Sequence, residues 1–180
     1  MKVLITGCAG FIGSNVINTL AKDNYDVWGV DNLKFGYADN VKVDSWSECG
    51  FESLTDNYLK DYDILVHLAC ANIIYAIDNQ IDTYRINALQ SIELFDKFKG
   101  KIIYTSTASV YGAATELPTT EKAIIQVSNA YDMSKYIAEL HLRQRGNYTI
   151  LRLSNVYGPG QRGSPKAFWL AWFIAKHRAI

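Results

Sequence analysis

Val3-Leu4-Ile5-Thr6-Gly7-Cys8-Ala9-Gly10-Phe11-Ile12-Gly13 runs from an apolar stretch straight into three glycines spaced three apart. It reads as a buried strand, a tight turn and a helix start. Gly7 permits the turn, Gly10 lets the backbone approach an anion, and Gly13 lets the new helix pack closely on the strand. The first helical turn, which includes Phe11 and Ile12, offers free N–H groups and the positive end of the helix dipole. The turn is suited to a dinucleotide pyrophosphate.

The next segment fits the same plan. Ser14 to Leu20 continues at helical spacing, Lys22-Asp23-Asn24 makes a turn, and Asp26-Val27-Trp28-Gly29-Val30-Asp31 is a second strand ending in an acid. Asp31 lies 18 residues past Gly13, near the distance at which a carboxylate accepts hydrogen bonds from an adenosine ribose. A carboxylate there repels a 2′-phosphate and no arginine stands beside it, so NAD is expected in preference to NADP.

Farther along, strands and helices alternate. Strands are expected over 2–6, 26–31, 63–69, 101–106 and 148–154, and helices over 11–22, 55–60, 81–98, 130–145 and 166–177. The pattern predicts an α/β fold, a Rossmann-type doubly wound parallel sheet with helices on both faces. Residues 32–52 are rich in Gly, Asp, Asn and Ser, and leave a short third strand open between 41–43 and 49–52.

The chain's 180 residues suit one domain with a sizeable core. Eighteen basic and eighteen acidic residues, without a basic stripe, argue against nucleic acid or an anionic membrane as partner. Cys8, Cys49 and Cys70 form an odd set without a C-x-x-C pair, which suggests neither a disulfide framework nor a metal site and fits a reducing cytoplasm. The apolar block around Phe168-Trp169-Leu170-Ala171-Trp172-Phe173-Ile174 falls short of the roughly 20 residues that span a bilayer. It is apolar all round, as a core helix is.

A second constellation joins Thr105-Ser106-Thr107-Ala108-Ser109-Val110-Tyr111-Gly112 to Tyr131-Asp132-Met133-Ser134-Lys135. On a helix, Tyr131 and Lys135 share one face, where an ammonium can lower a phenol pKa. Such a tyrosine can take a proton from an alcohol, and Thr107 at its strand end can hold the same oxygen. Spacing alone equally fits a helix-surface pair, but of the twelve tyrosines only Tyr131 has lysine four residues on. His67, at a strand end, reads as a satisfied core histidine rather than a base.

Together these motifs resemble the extended short-chain dehydrogenase/reductase family, and in particular its NAD-dependent nucleotide-sugar epimerases of the UDP-glucose 4-epimerase type. The resemblance is carried by Thr6 to Gly13, Asp31-Asn32-Leu33, His67-Leu68-Ala69, Asn87, Thr105 to Gly112, Tyr131 to Lys135, and Leu151-Arg152-Leu153-Ser154-Asn155-Val156-Tyr157-Gly158-Pro159. It implies catalytic roles for Thr107, Tyr131 and Lys135, with Lys135 also on the nicotinamide ribose. Cofactor contacts are implied at Gly7, Gly10, Phe11, Ile12, Gly13, Asp31, Asn32, Leu68 and Ala69, beside Tyr131 and Lys135. Asn155 takes the position of a residue on the substrate diphosphate, and Asn72 falls near the sugar pocket.

The implied reaction is epimerisation of a nucleotide-diphosphate sugar by transient oxidation at a ring carbon. Related dehydratases follow the threonine with Asp-Glu and related decarboxylases carry a Glu there, whereas Thr107 is followed by Ala108-Ser109. The alternatives are another oxidoreductase of the family, such as a ketosugar reductase or dehydratase, and a non-catalytic NAD-binding module. The resemblance also implies a homodimer through helices 81–98 and 130–145. It divides the chain into an NAD-binding domain, 1–160, and the start of a substrate-domain segment, 161–180, that lacks most of that domain. The family's usual adenine-contacting segment is not recognisable between Asp44 and Leu54.

Overall fold

A computed structural model describes residues 1–161; the helix expected over 166–177 lies outside the described residues. Six parallel strands form one sheet: β1 (Lys2–Thr6), β2 (Asp26–Asp31), β3 (Trp46–Glu48), β4 (Ile64–His67), β5 (Lys101–Thr107) and β6 (Tyr148–Leu153). Their order is β3-β2-β1-β4-β5-β6, the doubly wound arrangement, with its switch point between β1 and β4. The intervening helices are α1 (Phe11–Lys22), α2 (Asp56–Leu59), α3 (Ile73–Asp78), α4 (Gln80–Tyr84), α5 (Ser91–Lys97) and α6 (Ala130–Arg145).

At the centre of the sheet both faces are buried, as a parallel sheet requires. In β1, Leu4 packs with Leu65, Phe95, Ile102, Tyr104 and Leu142 on one side. Val3 and Ile5 pack with Cys8, Ile17 and Val27 on the other. Alternate side chains of one strand thus anchor two helical layers.

Several expected boundaries move. The third strand lies at Trp46–Glu48, between the two candidate stretches, because the edge strand pairs only Gly29, Val30 and Asp31 of β2. Helix α2 is a single turn whose N-cap is Thr55, and β4 stops at His67, before Leu68 and Ala69. Helix α3 has no counterpart among the expected elements. The helix expected over 81–98 starts at Gln80, ends at Lys97, and contains a π segment, Arg85–Gln90, between α4 and α5. There the Ser91 hydroxyl donates to the Ile86 carbonyl five residues back. The π segment carries Asn87, 1% exposed, whose amide accepts from Ala71 N at 2.8 Å and donates to Ala71 O at 2.9 Å and Ser134 Oγ at 3.2 Å. One side chain thereby joins the loop after β4 to α6, a role that fits the habit of π-bulges to lie at functional sites.

His67 is fully buried, with Nδ1 2.7 Å from Thr6 Oγ1 and Nε2 3.0 Å from Ser91 Oγ. Its ring lies edge-on to Phe51 and Phe95 and stacks on Tyr104. Burial first, and the Lys135 charge second, hold its pKa well below 6.5. The unfolded chain therefore binds a proton near pH 6.5 that the folded chain refuses, so this stability is complete above that pH and is lost as pH falls below it. Urea denaturation at pH 7 and pH 5.5 is expected to show a loss of about 1.4 kcal/mol per unit below about pH 6.5. In His67→Gln that slope should vanish; an unchanged slope would assign the loss to other groups.

Candidate functional site

The carboxyl ends of β1, β2, β4 and β5 open onto a continuous cleft. At its centre lies the glycine turn. Gly7 has φ +73°, and a Cβ there would stand 2.6 Å from Ala69 N. A Cβ on Gly13 would stand 2.0 Å from Gly7 O, so both glycines are demanded by close packing. Helix α1 has no side-chain cap, and Gly10, Phe11, Ile12 and Gly13 at its start line the cleft. Free first-turn amides facing an open cavity fit a dinucleotide diphosphate.

One arm of the cleft, about 250 Å³, is lined by Asp31, Asn32, Lys34, Phe35, Cys49, Phe51, Glu52, Leu68, Ala69 and Asp82, with Gly7 and Gly10 at its base. Asp31 is 8% exposed; its Oδ2 accepts from Ala9 N at 2.9 Å and its Oδ1 from Leu33 N at 2.8 Å. The acid therefore fixes the turn and the loop as well as facing the cavity. Cys49, Phe51 and Glu52 form the wall after β3, the stretch in which no adenine-contacting pattern is recognisable.

The other arm, about 660 Å³, is lined by Asn72, Thr105, Ser106, Thr107, Ser109, Tyr131, Lys135 and Asn155. That volume lies within the about 300–1,000 Å³ typical of ligand clefts. The fold thus brings Thr107, Tyr131 and Lys135 together from β5 and α6. Asn155 lines the same arm just past β6. Asn72 does too, but its Oδ1 is the N-cap of α3, accepting from Ile74 N and Tyr75 N at 3.0 Å each, so only its Nδ2 is left for a ligand. Ser106 Oγ is buried without a partner among the described residues, an orphan that a bound group would satisfy.

Thr107 stands in a directed chain. Its Oγ1 lies 2.7 Å from Ser109 Oγ, and Ser109 Oγ donates to Asp132 Oδ1 at 2.5 Å. Asp132, 1% exposed, also accepts from Asn129 Nδ2 at 2.6 Å and Ser128 Oγ at 3.4 Å. Ser109 has one proton and Asp132 receives it, so Thr107 donates to Ser109; its Oγ1 also accepts from Ser109 N at 3.2 Å and keeps one lone pair for a ligand. Asn129 in turn caps α6 by accepting from Asp132 N at 2.9 Å. The Asn129-x-x-Asp132 spacing is the signal by which sequence reasoning could have found this pair.

Tyr131 and Lys135 depart from the expected electrostatics. Burial first, then Cys70 and Asp132, push the Tyr131 phenol up. The Lys135 ammonium does not offset this. Lys135 is 2% exposed, makes no side-chain hydrogen bond or ion pair among the described residues, and lies 4.4 Å over the Tyr104 ring. Burial lowers its pKa. Glu139 offsets this only in part; a buried cation with no directly bonded counter-charge and one wall open to a cleft is placed to meet polar groups of a ligand. Cys70, half-buried, lines both arms and escapes sequence reasoning because nothing local marks it. Among the described residues there is no metal-binding cluster, and no helix long and apolar enough to cross a membrane.

Fold and cleft define a dinucleotide-binding α/β protein with a hydroxyl, a tyrosine and a lysine in the cleft. The chain belongs to the NAD dependent epimerase/dehydratase family, whose model matches residues 3–179. It is 32% identical over 191 residues to a putative UDP-glucose 4-epimerase of Methanocaldococcus jannaschii, covering 97% of this chain and 62% of that protein. It is 33% identical over 179 residues to UDP-glucuronic acid decarboxylase 6 of Arabidopsis thaliana, covering 88% and 52%. Among solved structures, UDP-glucose 4-epimerase of Thermotoga maritima with UDP-glucose aligns with TM-score 0.82 and 30% identity, over 94% of this chain and 62% of that one. The Thermus thermophilus UDP-glucose 4-epimerase complex with NAD gives 0.83 and 26%, over 96% and 61%. The chain thus spans about three fifths or less of the length of these relatives.

Proposed function

We propose that this protein epimerises a nucleotide-diphosphate sugar by transient oxidation at a ring carbon, with NAD held in the cleft. The observation that carries this reading is the convergence of Thr107, Tyr131 and Lys135 in the arm that begins at the Gly10–Gly13 turn. In this reading the amides of Phe11 and Ile12 meet the cofactor diphosphate, Asp31 and Asn32 hold the adenosine ribose, and Lys135 holds the nicotinamide ribose. Leu68 and Ala69 back the dinucleotide. Bound NAD supplies the hydride acceptor.

Tyr131 removes the proton of the sugar hydroxyl and later returns it, and Thr107, by turning its own proton from Ser109 to that oxygen, holds it in place. Since burial raises the Tyr131 phenol, the base needs positive charge brought beside it, from the cofactor ring and from Lys135. Asn155 and the free amide of Asn72 are positioned for substrate. Ala108-Ser109 supplies no carboxyl beside Thr107, and Asp132 lies beneath Ser109 with its oxygens taken by protein donors. This favours epimerisation over elimination or decarboxylation. A homodimer through α4–α5 and α6 is part of the proposal, supported by exposed Ile81, Leu89 and Leu140 on these elements; light scattering is expected to give twice the chain mass.

A nucleotide-sugar panel assayed with NAD tests the reaction. Isomerised sugar without accumulating NADH is expected. Net NADH turnover would instead make the protein a reductase or dehydrogenase, and retained NAD without any turnover would make it a binding module.

A further inference from the structure

The adenosine arm carries a cation as well as the acid Asp31. Lys34, three residues on, lines the same cavity, and among the described residues that line it Lys34 is the one lysine or arginine. Its ammonium is engaged. Nζ lies 2.9 Å from Asp82 Oδ2 and 3.0 Å from Tyr75 Oη, while Tyr75 Oη donates to the same Asp82 oxygen at 2.7 Å. Arg85 pairs with the other oxygen at 3.1 Å. Lys34 also lies over the Tyr75 ring, and Phe35 meets Tyr75 edge-on at 5.0 Å. Lys34 and Phe35 belong to the loop after β2; Tyr75 and Asp82 belong to α3 and α4 on the opposite wall.

The chemistry at this end has two opposed parts. Asp31 repels a 2′-phosphate, and a free lysine three residues away would attract one. We propose that Asp82 is a cofactor-specificity residue: by holding Lys34 from across the cleft, it denies the 2′-phosphate of NADP the cation that this arm offers. The inference rests on the reading of the cleft as an NAD site. The ion pair is partly exposed, with side chains 39% and 30% accessible, so its effect on folding is small and its effect on ligand choice is what distinguishes it. The hydrogen bonds that Lys34 donates to Asp82 and Tyr75 raise its pKa; once released from them, a lysine with its ordinary pKa of about 10.4 is still charged at neutral pH.

Calorimetry of NAD and NADP on the 180-residue chain tests this. Asp82→Asn keeps the side-chain shape and is expected to improve NADP affinity relative to NAD about fivefold at low salt. The gain should shrink at high salt. Lys34→Ala alone should give no gain, and Lys34→Ala with Asp82→Asn should abolish it, which loss of a purely structural contact would not predict. An unchanged NADP-to-NAD ratio in Asp82→Asn, or a gain that survives in the double variant, overturns the proposal while leaving the NAD site standing. Failure of the unmodified chain to bind NAD removes both.

Discussion

Replacing Tyr131 with phenylalanine is expected to lower sugar turnover about 10²–10⁴-fold, the range for loss of a positioned acid/base group. The phenol lines the same arm as Thr107, and among the described residues no other hydroxyl-bearing ring lies in that arm except Tyr157. NAD affinity should change little, because Asp31 lies in the other arm of the cleft and the backbone amides of the glycine turn are left as they are. Lys135→Met should differ in kind. It removes the buried ammonium over Tyr104, so NAD binding and turnover should both fall. Calorimetry and turnover measured on the same preparations separate the two. Unaltered turnover in Tyr131→Phe would reduce the Tyr131–Lys135 pair to a helix contact. The rate should also rise with pH as the phenol ionises, because burial has pushed Tyr131 above its ordinary value rather than below it.

How much of the structure is legible in the sequence depends on how local each cause is. The strand β1, the glycine turn and α1 are legible because Gly7 and Gly13 answer to contacts within the turn and with the adjacent β4 loop. The expected bounds of β2 and α6 agree with the structure at both ends, α6 lying between Asn129 and Gly146. The edge strand is not legible. Trp46-Ser47-Glu48 has three residues and no buried face, so apolar alternation has nothing to report. Helix α3 escapes notice since Ile73, Ile74 and Ile77 are exposed, leaving only Asn72 to mark its start. The π segment answers to Asn87 meeting Ala71 and Ser134, partners 16 and 47 residues away. In the cleft, sequence motifs mark the residues proposed to act directly, but not those that orient or neutralise them. Ser109 to Asp132 and Lys34 to Asp82 are contacts across 23 and 48 residues, and only the fold brings them together.

Glu139→Ala is expected to destabilise the fold by about 3–5 kcal/mol, the cost of breaking a buried ion pair from one side. Glu139 is fully buried on α6, and Arg152 of β6 reaches it with Nε at 3.0 Å from Oε1 and Nη2 at 2.6 Å from Oε2. Arg152 Nη1 continues to Tyr111 Oη at 2.6 Å, and its guanidinium lies 4.8 Å over the Tyr111 ring. Arg143 adds a longer contact to Glu139 at 3.4 Å. This cluster joins three of the segments that line the arm: α6 carries Tyr131 and Lys135, Tyr111 follows Thr107 and Ser109, and β6 leads to Asn155. With Glu139 gone, Arg152 keeps only Tyr111 and Arg143 turns outward. Glu139→Leu with Arg152→Met removes both charges, and should recover most of the loss because neither partner is left buried and alone. Urea denaturation of the parent, the single and the double variant reads the difference directly. If Glu139→Ala unfolds within about 1 kcal/mol of the parent, the pair is no stronger than a surface contact, and the placement of α6 over β5 and β6 must rest on Ala138 and Leu142 in the core instead.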